Sequence, residues 1–290
     1  MQYEIIPCTE DDAEFIEEQA DREFNTLAPP VPGAEEEELH YKITDAEGKL
    51  IAGCTLAMDE QKTAAIFRLW VEEGCRGQGL ASALIREAER KARESGCYLV
   101  MVGTFDWQAK PLYLKHGYLI NDTMSGAPKG HEHYFLTKRL DGPSAEYVPS
   151  NCREYEILPG SEEDAEFLSG RLRKYDEAFA PREHPYVSIR KKVTDGSGRI
   201  IAGITGGVDG WGDTEIDGLW VAEPYRRQGL GSRLLRAFER EAKETGADTM
   251  FIEAYDWNLE FCRKNGYEKV TGVLEDYPKG HTMFCMEKPL

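Results

Sequence analysis

The sequence predicts an α+β protein in which two similar domains follow one another. The chain has 290 residues, which is long for one compact domain because single cores stop growing at about 250 residues. Short motifs recur in the same order in both halves. Each half also contains both helical and extended hydrophobic patterns, so both kinds of secondary structure are expected in each domain.

The internal repeat is the strongest organisational signal. IAG at 51–53 recurs at 201–203, and PKGH at 128–131 recurs at 278–281, each 150 residues later. LWV and DW recur at the same shift, and YEI and DAEF recur after 152 residues. Two copies of domain size indicate a duplicated domain, because the repeats of solenoids have about 20 to 50 residues.

The domain boundaries follow from this repeat. We predict one domain at 1–141 and a second at 153–290, joined by a linker at 142–152. The linker contains Gly, Pro and Ser, which suits an exposed connector.

Within each half the elements are predicted in the same order. A strand opens the domain, an amphipathic helix follows DDAEF or EDAEF, and extended segments lie at 50–57 and 200–204. A strand that ends in LWV leads through a Gly-rich loop to a helix, which Gly96 or Gly246 ends, and a buried strand follows. The apolar stripe of each helix follows the i, i+3, i+4, i+7, i+11 spacing: Ala81, Leu84, Ile85, Ala88 and Ala92, and then Gly231, Leu234, Leu235, Phe238 and Ala242.

The loop between the LWV strand and this helix predicts a phosphate site in each half. It reads CRGQGLAS in the first half and YRRQGLGS in the second. Amides in the first turn of a helix have no partner within the helix, and together with the helix dipole they bind anions. Gly79 and Gly229 permit a close approach, and Arg76 and Arg226 add positive charge. The sequence contains neither G-x-G-x-x-G nor G-x-x-x-x-G-K-[ST] at these loops, which excludes the dinucleotide and P-loop motifs.

Both loops match the [QR]-x-x-G-x-[GA] signature, and the sequence therefore resembles the GNAT superfamily of acetyl-coenzyme A dependent N-acetyltransferases. The segment from Tyr113 to Tyr118 resembles the Y-x-x-x-G-[FY] segment of that family. The resemblance implies a mixed, mostly antiparallel, twisted β-sheet flanked by α-helices in each domain. It also implies that the LWV strand and the next strand splay apart to admit the coenzyme. The implied coenzyme-binding residues are Val71, Arg76, Gly77, Gln78, Gly79, Leu80 and Ala81, and Val221, Arg226, Arg227, Gln228, Gly229, Leu230, Gly231 and Ser232.

The two halves differ in their candidate catalytic residues. In the family a tyrosine four residues before a helix-ending glycine is commonly the general acid, and the resemblance places this role on Tyr113, whereas the second half has Cys262 at that count. The second half instead carries Glu215, Asp217 and Glu253 on its two central strands. An amine must lose a proton before it attacks a thioester, so Asp217 and Glu253 are candidate bases. We expect the coenzyme at both loops and catalysis in one half.

Composition limits the partners and the compartment. The formal charge of −18 argues against nucleic acid and anionic membrane, and it favours a cationic substrate such as an amine. Seven scattered cysteines without a C-x-x-C pair, no long apolar run and no secretory signal predict a cytoplasmic protein with free thiols. No cluster with metal-ligand spacing is present in the sequence, so no metal is expected.

Three functions remain open from the sequence. The first is an N-acetyltransferase that acts on a small amine, as a monomer or a homodimer. The second is a non-catalytic protein that binds or senses acetyl-coenzyme A, which the separation of Tyr113 from the acidic residues would suit. The third is a tandem aminoacyl transferase that uses charged tRNA, which the charge of −18 disfavours.

Overall fold

The computed structural model describes residues 3–126, 128–142, 147 and 155–290. The helices are α1 (Glu10–Leu27), α2 (Leu80–Glu94), α3 (Lys110–Lys115), α4 (Glu162–Glu177), α5 (Leu230–Thr245) and α6 (Leu259–Lys264). The strands of the first half are β1 (Ile6–Pro7), β2 (Glu37–Thr44), β3 (Leu50–Met58), β4 (Thr63–Val71), β5 (Leu99–Phe105), β6 (Leu119–Ser125) and β7 (Glu132–Arg139). The strands of the second half are β8 (Leu158–Pro159), β9 (Val187–Ser188), β10 (Lys191–Thr194), β11 (Ile200–Val208), β12 (Thr214–Val221), β13 (Thr249–Tyr255), β14 (Lys269–Glu275) and β15 (Thr282–Pro289).

The chain forms two compact units. Unit N comprises 30–124 and 131–181, and unit C comprises 1–29, 125–130 and 182–290. These units do not coincide with the contiguous halves predicted from the repeat. Most of the predicted linker at 142–152 lies outside the described residues, so that boundary stays a prediction.

Unit N contains one seven-stranded sheet in the order β6-β7-β5-β4-β3-β2-β8. The pairs β5–β7, β3–β4, β2–β3 and β2–β8 are antiparallel, whereas β4 and β5 are parallel. This arrangement confirms the predicted mixed, mostly antiparallel sheet. The helix α2 lies between β4 and β5 in the chain and completes the parallel strand, helix, strand unit that the sequence predicts.

Unit C repeats this plan with its sheet divided in two. One sheet has the order β1-β10-β11-β12, with β9 on β11, and the other has the order β13-β15-β14. The predicted apolar stripes of α2 and α5 are confirmed, since every stripe residue except Ala81 and Gly231 is buried. Gly96 and Gly246 have φ of 81° and 112°, the left-handed conformation that favours glycine at a helix end.

The first helix and first strand of each half pack on the sheet of the other half. In unit C, α1 packs on β11 and β12 while β1 pairs with β10; in unit N, α4 packs on β3 and β4 while β8 pairs with β2. Both helices begin with the same capping box, formed by Thr9 with Asp12 and by Ser161 with Asp164. The sequence therefore identifies both helices correctly, but their position follows the compact units and not the contiguous halves.

The glycine of each IAG motif explains the close packing of these helices. A Cβ at Gly203 would overlap the side chain of Ile16 in α1, and a Cβ at Gly53 would lie 2.8 Å from Cδ1 of Leu168 in α4. Ile16 and Leu168 are both fully buried. Glycine on the strand thus lets a large aliphatic side chain of the helix approach the sheet backbone.

Candidate active sites

Glycine forms the N-cap of both helices that follow the predicted loops. Gly79 begins α2 with φ of 90°, and Gly229 begins α5 with φ of 81°. Glycine has no side chain with which to cap the first-turn amides, so these amides remain available for an anion. A Cβ at either glycine would meet none of the described residues within 4 Å. Each loop therefore leaves open space in front of a helix N-terminus.

The loop arginines brace the backbone on which the site is built. Arg76 Nε donates to the Val71 carbonyl at 3.2 Å, and Arg226 Nε donates to the Val221 carbonyl at 2.8 Å. Both bonds connect the loop to the last residue of the preceding strand. The loop therefore has the same conformation in both units, and the arginine of each unit connects it to the preceding strand.

The partners of the two arginines differ between the units. The Arg76 guanidinium lies over the ring of Tyr175, with 5.1 Å between its Cζ and the ring centroid. Arg226 Nη2 instead donates to Glu23 at 2.6 Å. Tyr175 belongs to α4 and Glu23 to α1, so in each unit the glycine-capped loop is supported by the helix that comes from the other half of the chain.

The other predicted loop residues have mixed roles. The Gln78 carbonyl accepts a hydrogen bond from the Tyr155 hydroxyl at 2.7 Å, and Gln228 Nε2 donates to the Pro224 carbonyl at 3.1 Å. Gly77 and Arg227 occupy the same position and both have positive φ, 73° and 60°. The remaining predicted residues lie in the first turns of the two helices, where Leu80 and Leu230 are buried and Ala81, Gly231 and Ser232 are half-buried.

The two central strands of each unit diverge beside these loops, as the family resemblance implies. In unit N, β4 and β5 pair only from Thr63 to Ala65, although β4 continues to Val71. In unit C, β12 and β13 belong to separate sheets and are joined near their start by a hydrogen bond from Phe251 N to Thr214 Oγ1 at 3.0 Å. Each gap opens toward the end of the strand that leads into the helix N-terminus.

The cleft of unit C is acidic. Glu215 and Asp217 lie on β12 and Glu253 lies on β13, and all three side chains reach solvent. Asp217 is the extra residue of a β-bulge, since Gly218 pairs with Thr205 while Ile216 pairs with Gly206. A β-bulge redirects the side chain of its extra residue. The side chains of β12 therefore do not alternate regularly between the two faces of the sheet at Asp217.

Partial burial raises the pKa of two of these carboxylates, Glu215 and Asp217. Partial burial, together with Asp217 and Asp209, raises the pKa of Glu215, while burial raises the pKa of Asp217 and Arg190 opposes that shift. Burial, with Asp217 and Glu215 next, raises the pKa of Tyr186 to about 12. A group of acidic residues with raised pKa values is the environment expected of proton acceptors.

The cleft of unit N is aromatic at the equivalent positions. Ala65, Phe67 and Gly103 replace the three carboxylates, and Phe67 is 50% exposed. The ring of His133 lies over Gly103, where a Cβ would be 2.9 Å from its Nε2, and stacks on Phe105 at 4.2 Å between centroids. Burial lowers the pKa of His133 to about 4, so its imidazole is neutral.

Tyr113 lies in the core of unit N. It is 5% exposed, and its ring makes an edge contact with Tyr118 at 5.6 Å between centroids. Burial raises the pKa of Tyr113, which keeps its phenol protonated. At the equivalent count in unit C, Cys262 is 1% exposed, and burial raises its pKa to about 11.

A histidine and an aspartate pair in both units at positions that the sequence repeat shares. His131 Nδ1 lies 3.0 Å from Asp106 Oδ1, and His281 Nδ1 lies 3.1 Å from Asp256 Oδ1. The tryptophan after each aspartate packs edge-on against the histidine. The recurrence of DW and PKGH at one shift of 150 residues is the signal in the sequence that could have predicted this pair.

The part of the chain that the structure describes contains neither a group of metal ligands nor a membrane-spanning helix. None of its His, Cys, Asp and Glu side chains form a group of three or more that could hold a metal ion. None of its helices has the length and apolar character needed to cross a membrane.

Diverging central strands beside a glycine-capped helix are the arrangement that the resemblance to the GNAT superfamily implies, and comparisons with known proteins show membership of that family. The model of the acetyltransferase (GNAT) family matches residues 4–118 and again 151–267. The chain belongs to the GNAT acetyltransferase family and is an N-acetyltransferase with two family domains.

The individual relatives each match between 38% and 49% of the chain. The chain is 34% identical over 112 residues to blasticidin-S acetyltransferase of Streptomyces morookaense, which covers 38% of this chain and 82% of the relative. An acetyltransferase structure from Bacillus cereus ATCC 14579 is 32% identical with a TM-score of 0.43, covering 47% of this chain and 97% of that one. The structure of aminoglycoside 6'-N-acetyltransferase complexed with coenzyme A is 12% identical with a TM-score of 0.34, covering 49% and 99%.

Proposed function

We propose that the enzyme transfers an acetyl group from acetyl-coenzyme A to a primary amine of a small molecule, by direct attack of the amine on the thioester. The observation that supports this proposal is the pairing, in each unit, of a glycine-capped helix N-terminus with a gap between two central strands. The chain is similar to a blasticidin-S acetyltransferase. That enzyme is named for a small-molecule acceptor, which supports this part of the proposal.

Both loops have the donors and the space that a diphosphate needs. The first-turn amides of α2 and α5 would bind the phosphates, and Gly79 and Gly229 leave room for them because nothing described lies within 4 Å of a Cβ there. The main chain near Val71 and Val221 would support the thioester carbonyl. When bound, acetyl-coenzyme A supplies an activated acetyl group, and Arg76 and Arg226 keep each loop in its binding shape through their bonds to the strand.

The acidic cleft of unit C is the proposed acceptor site. Glu215, Asp217 and Glu253 place negative charge at the gap, which attracts an alkylammonium group. A free alkylammonium has a pKa of about 10.4, so a proton must leave before the nitrogen can attack. We assign proton acceptance to Asp217 and Glu253, directly or through water, because a raised pKa makes Asp217 a stronger base.

Tyr113 is the proposed acid of unit N. Its buried phenol stays protonated, and it could donate its proton to the departing thiolate. Unit N lacks carboxylates at 65, 67 and 103, so proton acceptance there would fall to water. We therefore propose that unit C carries the main activity toward cationic amines and that unit N binds coenzyme in a supporting role.

The acidity of the chain and its scattered cysteines lead us to propose a cytoplasmic enzyme that works without nucleic acid or membrane partners. Its net charge of −18 repels polyanions. Since one chain already contains two family domains, we propose that it acts as a monomer or a homodimer.

Thiol release from acetyl-coenzyme A with a panel of diamines and monoamines tests this assignment. We expect Asp217→Asn and Glu253→Gln each to lower kcat by about 100-fold, the usual contribution of a general base. Tyr113→Phe should lower it much less. Glu260→Gln, in an exposed pair with Lys264 of the same unit, is the control and should retain full activity. Unchanged rates in both Asp217→Asn and Tyr113→Phe would exclude the mechanism.

Calorimetry with coenzyme A tests the two loops separately. A valine at Gly229 or at Gly79 would be forced into positive φ and would fill the open space, so we expect each variant to lose one of two bound equivalents. Full binding by the double variant would contradict the loop assignment.

A further inference from the structure

A basic cavity lies on unit C in addition to the coenzyme loop. Its volume is about 430 Å³, and it is bounded by α5, by β1 and by the start of β10. The residues that carry the argument are Lys191, Arg233, Arg236, Ala237, Arg240 and Glu241. A cavity of this volume falls within the range of small-molecule sites.

Three arginines of α5 line this cavity along one face of the helix. Arg233, Arg236 and Arg240 follow the i, i+3, i+7 spacing, which places their side chains on the same side. With a rise of about 1.5 Å per residue they extend over about 10 Å. Arg236 and Arg240 therefore lie two and three turns beyond the glycine cap, away from the amides that bind the coenzyme.

The charges of the cavity do not cancel. Lys191 forms an ion pair with Glu241, and Arg233 Nη2 donates to the Tyr3 carbonyl at 2.6 Å. Arg236 and Arg240 are exposed, and among the described residues their guanidinium groups have no hydrogen-bond or ion-pair partner. Four cations therefore face one carboxylate, in a chain whose net charge is −18.

In unit N, carboxylates neutralise the arginine at the equivalent position of α2. Arg90, which the repeat aligns with Arg240, donates from Nε to Glu87 at 2.9 Å and also pairs with Glu94. Glu87 aligns with Ala237. The second copy thus retains the arginine and has Glu244 at the position of Glu94, while alanine replaces Glu87, the carboxylate to which the arginine Nε donates in unit N. Among the described residues, Arg240 forms no ion pair with Glu244.

We propose that this cavity binds a small polyanion with at least two phosphate groups, at a site separate from the coenzyme loops. Guanidinium groups form paired, charge-assisted hydrogen bonds with phosphate oxygens. The separation of Arg233 from Arg240 fits a ligand with several phosphates better than one with a single anionic group. A free polyphosphate and the polyphosphate end of a nucleotide share this chemistry.

Calorimetry with sodium tripolyphosphate tests the site in the full-length enzyme. Saturating coenzyme A is present throughout, so that both helix N-termini are occupied. We expect the wild-type enzyme to bind one equivalent. Ala237→Glu should weaken binding at least tenfold, because it restores the carboxylate found at Glu87. The double variant Arg236→Ala, Arg240→Ala should abolish binding, and Arg90→Ala, in the equivalent but neutralised position, should leave it unchanged.

The outcomes separate this proposal from the proposed function. Absence of heat from wild-type enzyme in the presence of coenzyme A would overturn the proposal, as would equal affinity in the wild type and in both cavity variants. Acetyl transfer, measured in parallel, is expected to persist in Ala237→Glu, so its loss would signal a folding defect, for which the double arginine variant is the replacement test. Tighter binding of ATP than of tripolyphosphate would identify a nucleotide as the ligand, and equal or weaker binding would identify a free polyphosphate.

Discussion

A single residue in the turn before the first diverging strand distinguishes the two units. In unit N the Thr63 hydroxyl donates to Asp59. In unit C, Asp213 stands at the position of Thr63, and Asp209 stands at the position of Asp59. The Oδ1 atom of Asp213 is buried and has no hydrogen-bond partner among the described residues. Burial, and next the charge of Asp209, raise the pKa of Asp213 to about 7. A protonated Asp213 can donate as the threonine does, whereas an ionised one cannot.

This replacement predicts a pH-dependent stability. The pKa of Asp213 is about 7 when folded, against 3.8 for the ordinary value, so the folded state binds the additional proton. Its contribution to the free energy of unfolding is fully present below pH 3.8 and is lost as the pH rises to about 7, by on the order of 4 kcal/mol. Asp213→Thr should therefore stabilise the enzyme at pH 8 and remove this part of the slope. Denaturant titrations between pH 5 and pH 8 measure both effects; identical slopes in the two proteins would contradict the assignment.

Residues whose conformation depends on the local backbone are the most predictable ones. The glycine caps and loop arginines follow from a local pattern that occurs twice. The cleft residues were less predictable because their role depends on distant parts of the chain. His133 was missed because only the pairing of β7 with β5 places it over Gly103, and Asp213 was missed because its burial is a tertiary property.

At the scale of elements, the sequence predicts which helices form but not where α1 and α4 pack. Both have the same capping box and a large aliphatic residue at the equivalent position, and both sheets provide the same glycine on β3 or β11. Local energetics are therefore nearly equal for either pairing. The choice depends on how the chain between the halves can run, which local periodicity does not encode.

A double-mutant cycle tests the exchange of the two helices. Gly203→Ala should destabilise the enzyme by about 2 kcal/mol, because its Cβ would overlap Ile16. Adding Ile16→Ala, which makes room for that Cβ, should show a coupling of about 1 kcal/mol or more in chemical denaturation. Adding Leu168→Ala to Gly203→Ala should show additivity.

The same cycle has an internal control in unit N. Gly53→Ala should couple with Leu168→Ala and not with Ile16→Ala, since its Cβ would meet Leu168. The opposite pattern of coupling would show that each helix packs on the sheet of its own half.

At the scale of the whole molecule, the charge of −18 acts over a longer range than any single contact. A field of this sign concentrates cationic substrates near the protein, and salt screens it with a Debye length of about 10 Å at 0.1 M. The acidic residues of unit C extend that field to the cleft where the acceptor is proposed to bind.

This field predicts a salt dependence that distinguishes acceptors by charge. For a diamine, kcat/KM should fall several-fold between about 20 mM and about 300 mM salt, because screening removes electrostatic attraction. A monoamine of similar size should lose less. Initial rates for both acceptors at each salt concentration measure this, and equal losses would show that attraction by the protein charge does not contribute.

Each glycine-capped loop is supported by a helix from the other half of the chain, and this arrangement has an evolutionary consequence. Glu23 contacts Arg226 and Tyr175 contacts Arg76, so each half of the gene encodes a residue that supports the loop encoded by the other half. If the gene were split in two, each of the two proteins would lack the residue that now supports its loop. Selection for activity would then keep both copies in one reading frame, even while their clefts diverge in chemistry.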